Sequence, residues 1–178
     1  LTPVFGALPL MLYLPELSFT DAYFEAASGL TTTGATVLTG LDALPVSINL
    51  WRCFMHWIGG MGVIVLMVAV LPLLGIGGRQ IFRAETPGPM KESALTPRIA
   101  ETAKGLWMTY VLLTVACGLC LWWAGLEGWD VVIHAFSIVG LGGFSNKDAS
   151  LGHFANLNVE IVAIVFALLA GLNYATHY

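Results

Sequence analysis

Charged residues are scarce in this sequence. Only 10% of its 178 residues are Asp, Glu, Lys or Arg, and 57% are hydrophobic, whereas a typical soluble domain carries about 25% charged residues. Residues 53–78 contain no Asp, Glu, Lys or Arg at all. The sequence also lacks the basic, aromatic-bearing face that nucleic-acid binding requires. This composition predicts an integral membrane protein that does not bind nucleic acid.

Cysteine is rare as well, and the three cysteines do not form a disulfide framework. Cys117 and Cys120 have CxxC spacing, but they lie inside the uncharged run 105–126. No cationic neighbour or helix N-terminus is present there to lower the pKa of a thiol. We therefore interpret both as small residues that pack between helices, and we predict no resident metal or other cofactor.

A short polar segment occurs twice in the apolar sequence. Residues 28–36 read SGLTTTGAT and residues 137–145 read SIVGLGGFS. Asp21 and Asp130 each precede their segment by seven residues, so the two copies are 109 residues apart. Internal repeats often reveal a whole architecture. We name residues 31–36 the first glycine loop and residues 140–145 the second glycine loop.

Each glycine loop follows a helix too short to cross a membrane. Ser18 and Asp21 form a helix-start pattern, and the helix predicted for residues 20–30 is half of the ~20 residues needed to span a bilayer. Asp130 opens the second short helix, which is predicted to end near Val139. The repeated unit is therefore a helix, a half-helix, a glycine loop and a second helix, in an all-α membrane protein.

The arginines and lysines indicate how the chain crosses the membrane. Five of the seven lie in residues 79–104, which the positive-inside rule places in the cytoplasm. Residues 37–50 are predicted to return to the surface as a loop, and residues 105–126 to cross outward. Both glycine loops then face outward and enter from the same side, as a pore with rotational pseudo-symmetry requires.

Two other functions compete with an ion pore. Ser145 could pair with His153 or His177 in an intramembrane serine hydrolase. The first glycine loop has no histidine at a matching distance, and a catalytic site needs no degenerate second copy, so we predict no enzyme activity. The second alternative is a structural or sensor membrane subunit. His56, the ionisable residue within residues 53–78, is predicted to be packed and hydrogen-bonded rather than to carry protons.

Four motifs resemble one known family, the TrkH branch of the Trk/Ktr/HKT potassium transporters. They are TTTGAT at residues 31–36, WIGGMG at 57–62, RAETPGP at 83–89 and GGFS at 142–145. The resemblance covers the whole chain in order. It implies a potassium-channel-like pore built from four helix–half-helix–loop–helix repeats around one axis.

The resemblance also implies how the chain is divided. Residues 1–78 would hold the first repeat without the start of its first helix, residues 79–104 a cytoplasmic linker, and residues 105–178 the second repeat. Repeats three and four would lie outside this chain.

The same resemblance implies a selectivity filter made of backbone carbonyls. The period aligns Gly34 with Gly143, and Gly142 is the alternative, one residue away. Glu25 is replaced by His134 in the second copy, so no shared side-chain role is expected there. The implied ion-binding residues are Thr32, Thr33, Gly34, Gly140, Leu141, Gly142 and Gly143.

The implied function is potassium uptake across the bacterial inner membrane, with K⁺ as the transported ion. A half-helix that ends at the loop directs the negative end of its dipole toward the pore, which favours a cation. The resemblance further implies membrane lipid around the protein, a homodimer, and a cytoplasmic nucleotide-binding regulatory subunit. Selectivity for K⁺ over Na⁺, and a channel as opposed to an ion-coupled mechanism, are left open by the sequence.

Overall fold

A computed structural model describes residues 1–70 and 95–171, with side chains at residues 1–62 and 103–171. Within these ranges the structure contains α-helices, two short 3₁₀ segments and no β-strand. The helices are α1 (Thr2–Tyr13), α2 (Phe19–Leu30), α3 (Val46–Val70), α4 (Leu95–Trp123), α5 (Trp129–Val139) and α6 (Leu157–Gly171). The 3₁₀ segments are Leu41–Ala43 and Ser150–Phe154. The all-α prediction is therefore confirmed for the described residues.

The two half-helices begin where the sequence predicts them. Ser18 is the N-cap of α2: its Oγ accepts the Asp21 backbone N–H at 3.1 Å and donates to the Asp21 carboxylate at 2.7 Å. The acidic side chain also lies at the positive end of the helix dipole. Helix α5 carries Asp130 in the same place, in its first turn. Both helices stop after 12 and 11 residues respectively, as expected for half-spans.

Helix α3 begins earlier than predicted, at Val46 instead of after Leu50. The carbonyl of Pro45 accepts the N–H groups of Ile48 and Asn49 at 3.0 and 3.3 Å and so starts the helix. The polar residues made this stretch resemble a surface loop, but Asn49 and Arg52 are fully or almost fully buried. Residues 71–78 of the predicted membrane helix lie outside the described residues.

Helix α4 begins at Leu95, and Pro97 lies in its first turn, where the missing N–H of a proline breaks no helical hydrogen bond. The predicted boundary between residues 104 and 105 therefore falls inside a continuous helix, while residues 79–94 of the linker lie outside the described part. Among the described residues, Ala103–Trp123 is long and apolar enough to cross a membrane. Large side chains along it are exposed, which suits contact with lipid; they are Leu112, Val115, Leu119 and Trp122.

Each repeat has its own core. Helices α1, α2 and α3 share a buried cluster of Ala7, Leu10, Ala22, Ala26, Ile48 and Met55. Helices α4, α5 and α6 share another, which includes Tyr110, Cys117, Ala135, Val139, Val159 and Phe166. Both CxxC cysteines are free thiols, and Cys117 is fully buried in this core, as the packing interpretation expects.

A smaller buried cluster, formed by Cys53, Ile133 and Phe144, lies between the two repeats. The C-terminal ends of both half-helices also pack against α3, at the adjacent glycines Gly59 and Gly60. A Cβ on Gly59 would collide with the backbone carbonyl of Leu30, and one on Gly60 would lie 3.1 Å from the Cα of Gly140. The glycines of the WIGGMG motif thus allow close backbone approach, and α3 brings the two glycine loops together.

Candidate functional site

The two glycine loops have the same backbone. After α2, the N–H groups of Thr31, Thr32 and Thr33 donate to the carbonyls of residues 27, 29 and 28. After α5, the N–H groups of residues 140, 141 and 142 donate to carbonyls 109 positions further on, at residues 136, 138 and 137. The repeat found in the sequence is thus a repeat in hydrogen bonding, at distances of 2.9 to 3.1 Å.

The φ angles repeat as well. Thr32 and Gly34 have positive φ, at 54° and 76°, and their counterparts Leu141 and Gly143 have φ of 56° and 92°. The residue between each pair does not have positive φ. Left-handed backbone is costly for any residue except glycine, so its presence at Thr32 and Leu141 shows that the surrounding structure imposes this conformation. Gly34 and Gly143 are therefore equivalent in backbone geometry, as the period predicts.

The carbonyl oxygens of these loops are available to a ligand. Among the described residues, none donates a hydrogen bond to the carbonyls of residues 32–34 or 141–143. Nothing in these triplets ionises, so the ligand they suit is one that carbonyl oxygens alone can hold. A cation that exchanges its hydration shell for carbonyls fits this description.

The glycines differ in what surrounds them. A Cβ on Gly34 would collide with the carbonyl of Gly142, so the two loops touch there. A Cβ on Gly142 would overlap the imidazole ring of His56, whereas one on Gly143 would meet nothing within 4 Å. Gly142 is thus a packing position against α3, and Gly143 lies open.

Gly140 occupies yet another environment. It caps the C-terminus of α5 in right-handed geometry, with φ of −72°, and is buried. A Cβ there would lie 2.7 Å from the carbonyl oxygen of His56. Of the four residues predicted to bind ions in the second loop, Gly140 and Gly142 therefore lie against α3, while Leu141 and Gly143 are exposed.

A buried ion pair stands behind the first glycine loop. The carboxylate of Glu25 and the guanidinium of Arg52 are 2.7 Å apart, and both side chains are fully buried. The Thr36 hydroxyl donates to the carboxylate at 2.8 Å, and the Val37 backbone N–H donates to it at 3.1 Å. The Thr36 Oγ also accepts the N–H of Leu38 at 3.1 Å. These contacts attach the end of the loop to α2 and α3.

His134 takes the place of Glu25 behind the second glycine loop. Its Nε2 lies 2.9 Å from the hydroxyl of Ser145, the counterpart of Thr36. The Ser145 Oγ accepts the N–H of Lys147 at 3.0 Å, and Nδ1 of His134 lies 2.7 Å from the carbonyl of Asp130. The expectation that positions 25 and 134 share no role is therefore wrong: both hold the hydroxyl that ends the loop, because a carboxylate and an imidazole can each bond it.

These contacts also bear on the serine–histidine alternative. The partner of Ser145 is His134, and His153 instead lies 3.9 Å from the carboxylate of Asp42. His177 lies outside the described residues. Ser145 is only 4% exposed, and its pairing repeats the Thr36–Glu25 contact, so the arrangement matches a loop support rather than an exposed nucleophile.

His56 is packed, as predicted, and its ring stacks on Phe144 with centroids 4.1 Å apart. Its Nδ1 accepts the backbone N–H of Phe144 at 3.4 Å. Within the described residues its buried Nε2 has no hydrogen-bond partner. His56 thus packs against the second glycine loop and binds it at Phe144.

The segments that follow the two loops contact each other. The N–H of Asp148 donates to the Asp42 carboxylate at 3.1 Å, and the N–H of Leu41 donates to the Asp148 carboxylate at 3.0 Å. The ammonium of Lys147 lies 3.5 Å from Asp42. The hydrogen bond from Asp148, followed by the charge of Lys147, lowers the pKa of Asp42 below its usual value.

Sequence reasoning missed the most connected residue of the site, Arg52. Its guanidinium touches both loops, through Thr36 at 3.0 Å and the carbonyl of Ser145 at 3.0 Å. A signal was present: Arg52 stands immediately before the longest uncharged run, and a lone ionisable residue at membrane depth marks a functional position with a buried partner.

The half-spanning helices, the glycine loops with free backbone carbonyls and the apolar exterior define a class: membrane proteins in which short helices end at re-entrant loops. The model of the TrkH family, described as cation transport protein, matches residues 3–178. The chain belongs to this family and is an integral membrane protein.

Relatives and a solved structure agree with this assignment. The chain is 53% identical over 174 residues to the Trk system potassium uptake protein TrkH of Escherichia coli K12. It is 38% identical over 151 residues to the Trk system potassium uptake protein TrkI of Halomonas elongata. The crystal structure of the potassium transporter TrkH from Vibrio parahaemolyticus matches 99% of this chain with a TM-score of 0.84 and 46% identity.

The chain is shorter than these relatives. The alignment with the Escherichia coli protein includes 97% of this chain but only 36% of that protein. The chain likewise covers 35% of the chain in the Vibrio structure. It therefore corresponds to about a third of a complete family member.

Proposed function

We propose that this chain contributes two of the pore loops through which a complete transporter takes up potassium. The observation that carries the proposal is the pair of glycine loops with identical hydrogen bonding and matching φ signs, each at the end of a half-helix. The names of the relatives support potassium as the ion. The TrkH family is a transport family, and this argues against an enzyme.

The chemistry expected of the loops is coordination. The carbonyls of Thr32, Thr33 and Gly34 in the first loop, and of Leu141, Gly142 and Gly143 in the second, replace water around a dehydrating K⁺. Gly140 was predicted to contribute too, but its carbonyl oxygen lies against α3, 3.2 Å from the place of a Cβ on Gly60. The half-helix dipoles add negative potential at the loops. No side chain needs to ionise.

Gly143 is proposed as the filter counterpart of Gly34. The equivalence of their φ angles supports this choice. The proximity of Gly142 to the ring of His56 supports a packing role for that residue. The alternation of φ sign along each triplet keeps the carbonyls out of any helix or strand ladder, so they stay available to the ion.

Topology and partners are further proposals. Residues 79–104 would lie in the cytoplasm and both glycine loops would open outward, in the bacterial inner membrane. A cysteine placed at Glu92 should resist an impermeant thiol reagent added from outside, and one placed at Asp148 should react, in a background without native cysteines. Labelling of position 92 from outside would contradict this topology. The homodimer and the nucleotide-binding subunit rest on the family resemblance alone.

The proposed function is tested with a chimera. This chain replaces the matching 174-residue segment of the Escherichia coli relative, and the chimera is expressed in a strain without other potassium uptake. We expect growth at limiting potassium and uptake of rubidium. A chimera that reaches the membrane in normal amount but takes up no rubidium would overturn the proposal.

A further inference from the structure

The most connected side chain in the described part of the molecule is Arg52, and its contacts cross the boundary between the repeats. The guanidinium has five N–H donors in a planar fork. Nε and Nη2 contact the Glu25 carboxylate at 2.7 Å. Nη2 also donates to Thr36 at 3.0 Å, and Nη1 donates to Asn49 at 3.2 Å and to the carbonyl of Ser145 at 3.0 Å. All five donors are used.

The second glycine loop also contacts the Arg52 guanidinium, through the aromatic ring of Phe144. The Arg52 Cζ lies 4.4 Å from the ring centroid of Phe144, and the Cys53 thiol donates to the Phe144 carbonyl at 3.6 Å. Phe144 and Ser145 directly follow Gly143. The guanidinium therefore touches the end of the second glycine loop on two consecutive residues and the end of the first on Thr36.

We propose that Arg52 is a positioning residue for ion selectivity, which sets the spacing of the two glycine loops by bridging Thr36 and the Ser145 carbonyl. This inference rests on the proposed function. The residue does not touch the ion. Glu25 balances its charge, so the buried cation does not oppose entry of K⁺, and the fork geometry of the guanidinium reaches two loops at once.

A lysine cannot do the same. Its single ammonium nitrogen keeps the charge but does not present two separate arms. Arg52→Lys therefore retains the ion pair with Glu25 and loses at least one of the two loop contacts. A side chain that served only to neutralise Glu25 would tolerate this change.

The experiment compares variants of the chimera described above, with rubidium uptake and its inhibition by sodium as the measurements. The ratio of rubidium to sodium preference is a property of each molecule and does not depend on how much protein accumulates. For Arg52→Lys we expect this ratio to fall about tenfold, the effect of losing one hydrogen bond from a charged group. Arg98→Lys makes the same chemical change at the start of α4 and should leave the ratio unchanged.

A second variant removes a loop contact without touching the arginine. Thr36→Val deletes the hydroxyl and keeps the Glu25–Arg52 pair and the side-chain volume, and it should lower the ratio in the same direction. An unchanged ratio in both Arg52→Lys and Thr36→Val would overturn the inference, even if both variants were less abundant. Absence of uptake in the unsubstituted chimera would instead refute the proposed function, so the two failures are distinguishable.

Discussion

The two glycine loops share their backbone hydrogen bonds and φ signs but are held by different side chains. Behind the first loop, Glu25 and Arg52 form a buried ion pair that bonds Thr36. Behind the second, a histidine bonds Ser145, and position 161, the counterpart of Arg52, is an isoleucine. The comparison shows that each loop ends in a hydroxyl bonded to a buried side chain of the preceding half-helix, and that, within the described residues, this side chain is paired with an arginine only in the first repeat.

His134→Glu, which places the acidic residue of the first repeat in the second, is expected to have the largest effect on stability. The new carboxylate would be buried with no arginine in the place that Arg52 has in the first repeat. An uncompensated buried charge costs about 3–5 kcal/mol, so the unfolding temperature of the detergent-solubilised chimera should drop by roughly 10 °C.

His134→Gln is the matched control, since an amide can still bond Ser145 and carries no charge. Its unfolding temperature should drop clearly less than that of His134→Glu. If both variants lowered the unfolding temperature equally, the negative charge of the introduced glutamate would not be the cause of the loss. The absence of an arginine in the second repeat would then not explain why position 134 is a histidine.

The next effect distinguishes the two glycines proposed for the filter, Gly34 and Gly143. Gly34→Ser adds a side chain that collides with the Gly142 carbonyl, while Gly143→Ser adds one into open space. Both residues have positive φ, which costs a non-glycine residue about 1–2 kcal/mol. We expect Gly34→Ser to reduce both abundance and uptake, and Gly143→Ser to reach the membrane but to discriminate less between rubidium and sodium.

Membrane abundance beside rubidium uptake with sodium competition provides the readout. Unchanged ion preference in Gly143→Ser at normal abundance would assign the filter position to another residue, and Gly142 would be the first candidate.

A smaller effect sharpens the distinction between Gly142 and Gly143. A methyl group on Gly142 overlaps the ring of His56, so Gly142→Ala should lower membrane abundance. Truncation of the ring in Gly142→Ala/His56→Ala should restore part of that abundance, because the obstacle is removed. If the double variant is no better than the sum of the single losses, steric conflict with His56 is not the reason for a glycine at position 142.

The smallest effect concerns the contact of Asp42 with Asp148, which joins the two repeats. The pKa of Asp42 is lowered, chiefly by the N–H of Asp148. A carboxylate with a lowered folded-state pKa adds stability above its unfolded pKa, about 3.9, and this stability is lost as the pH falls through the folded-state value. Asp42 is solvent-exposed, so the effect is screened.

We therefore expect Asp42→Asn to unfold at a slightly lower temperature than the parent at pH 7, and this difference to be smaller at pH 3. Thermal unfolding of the solubilised chimera at both pH values measures this. A difference that persists unchanged at pH 3 would show that the carboxylate charge is not involved.

The sequence predicted the repeat and its elements well because both depend on local signals. The Ser18–Asp21 cap, the half-helix that ends at Leu30 and the start of α4 near Pro97 are set by residues within one turn of each other. The alignment of Gly34 with Gly143 followed from spacing alone, and the φ angles match it. The start of α3 was misplaced because Gly40, Asp42 and Pro45 were interpreted as a loop that continues to Leu50, whereas the helix begins directly after Pro45.

The site could be predicted only in part. The residues of both loops were named from the sequence. Arg52, however, contacts Glu25, which lies 27 residues before it, and Ser145, which lies 93 residues after it. No local pattern encodes such a distance. The same limit explains why Gly142 and Gly143, adjacent and chemically identical, could not be told apart before the packing of His56 was seen.

The sequence by itself determined that this is an apolar, helical, duplicated chain with a glycine loop after each half-helix. These properties come from composition, periodicity and short-range hydrogen bonding, which act between neighbours in the chain. Only the tertiary structure decided which buried groups face each other: Arg52 between the loops, His134 on Ser145, and Gly34 against the Gly142 carbonyl. The reason is that buried polar groups must find partners wherever the fold brings them together, and that choice is made between segments distant in sequence.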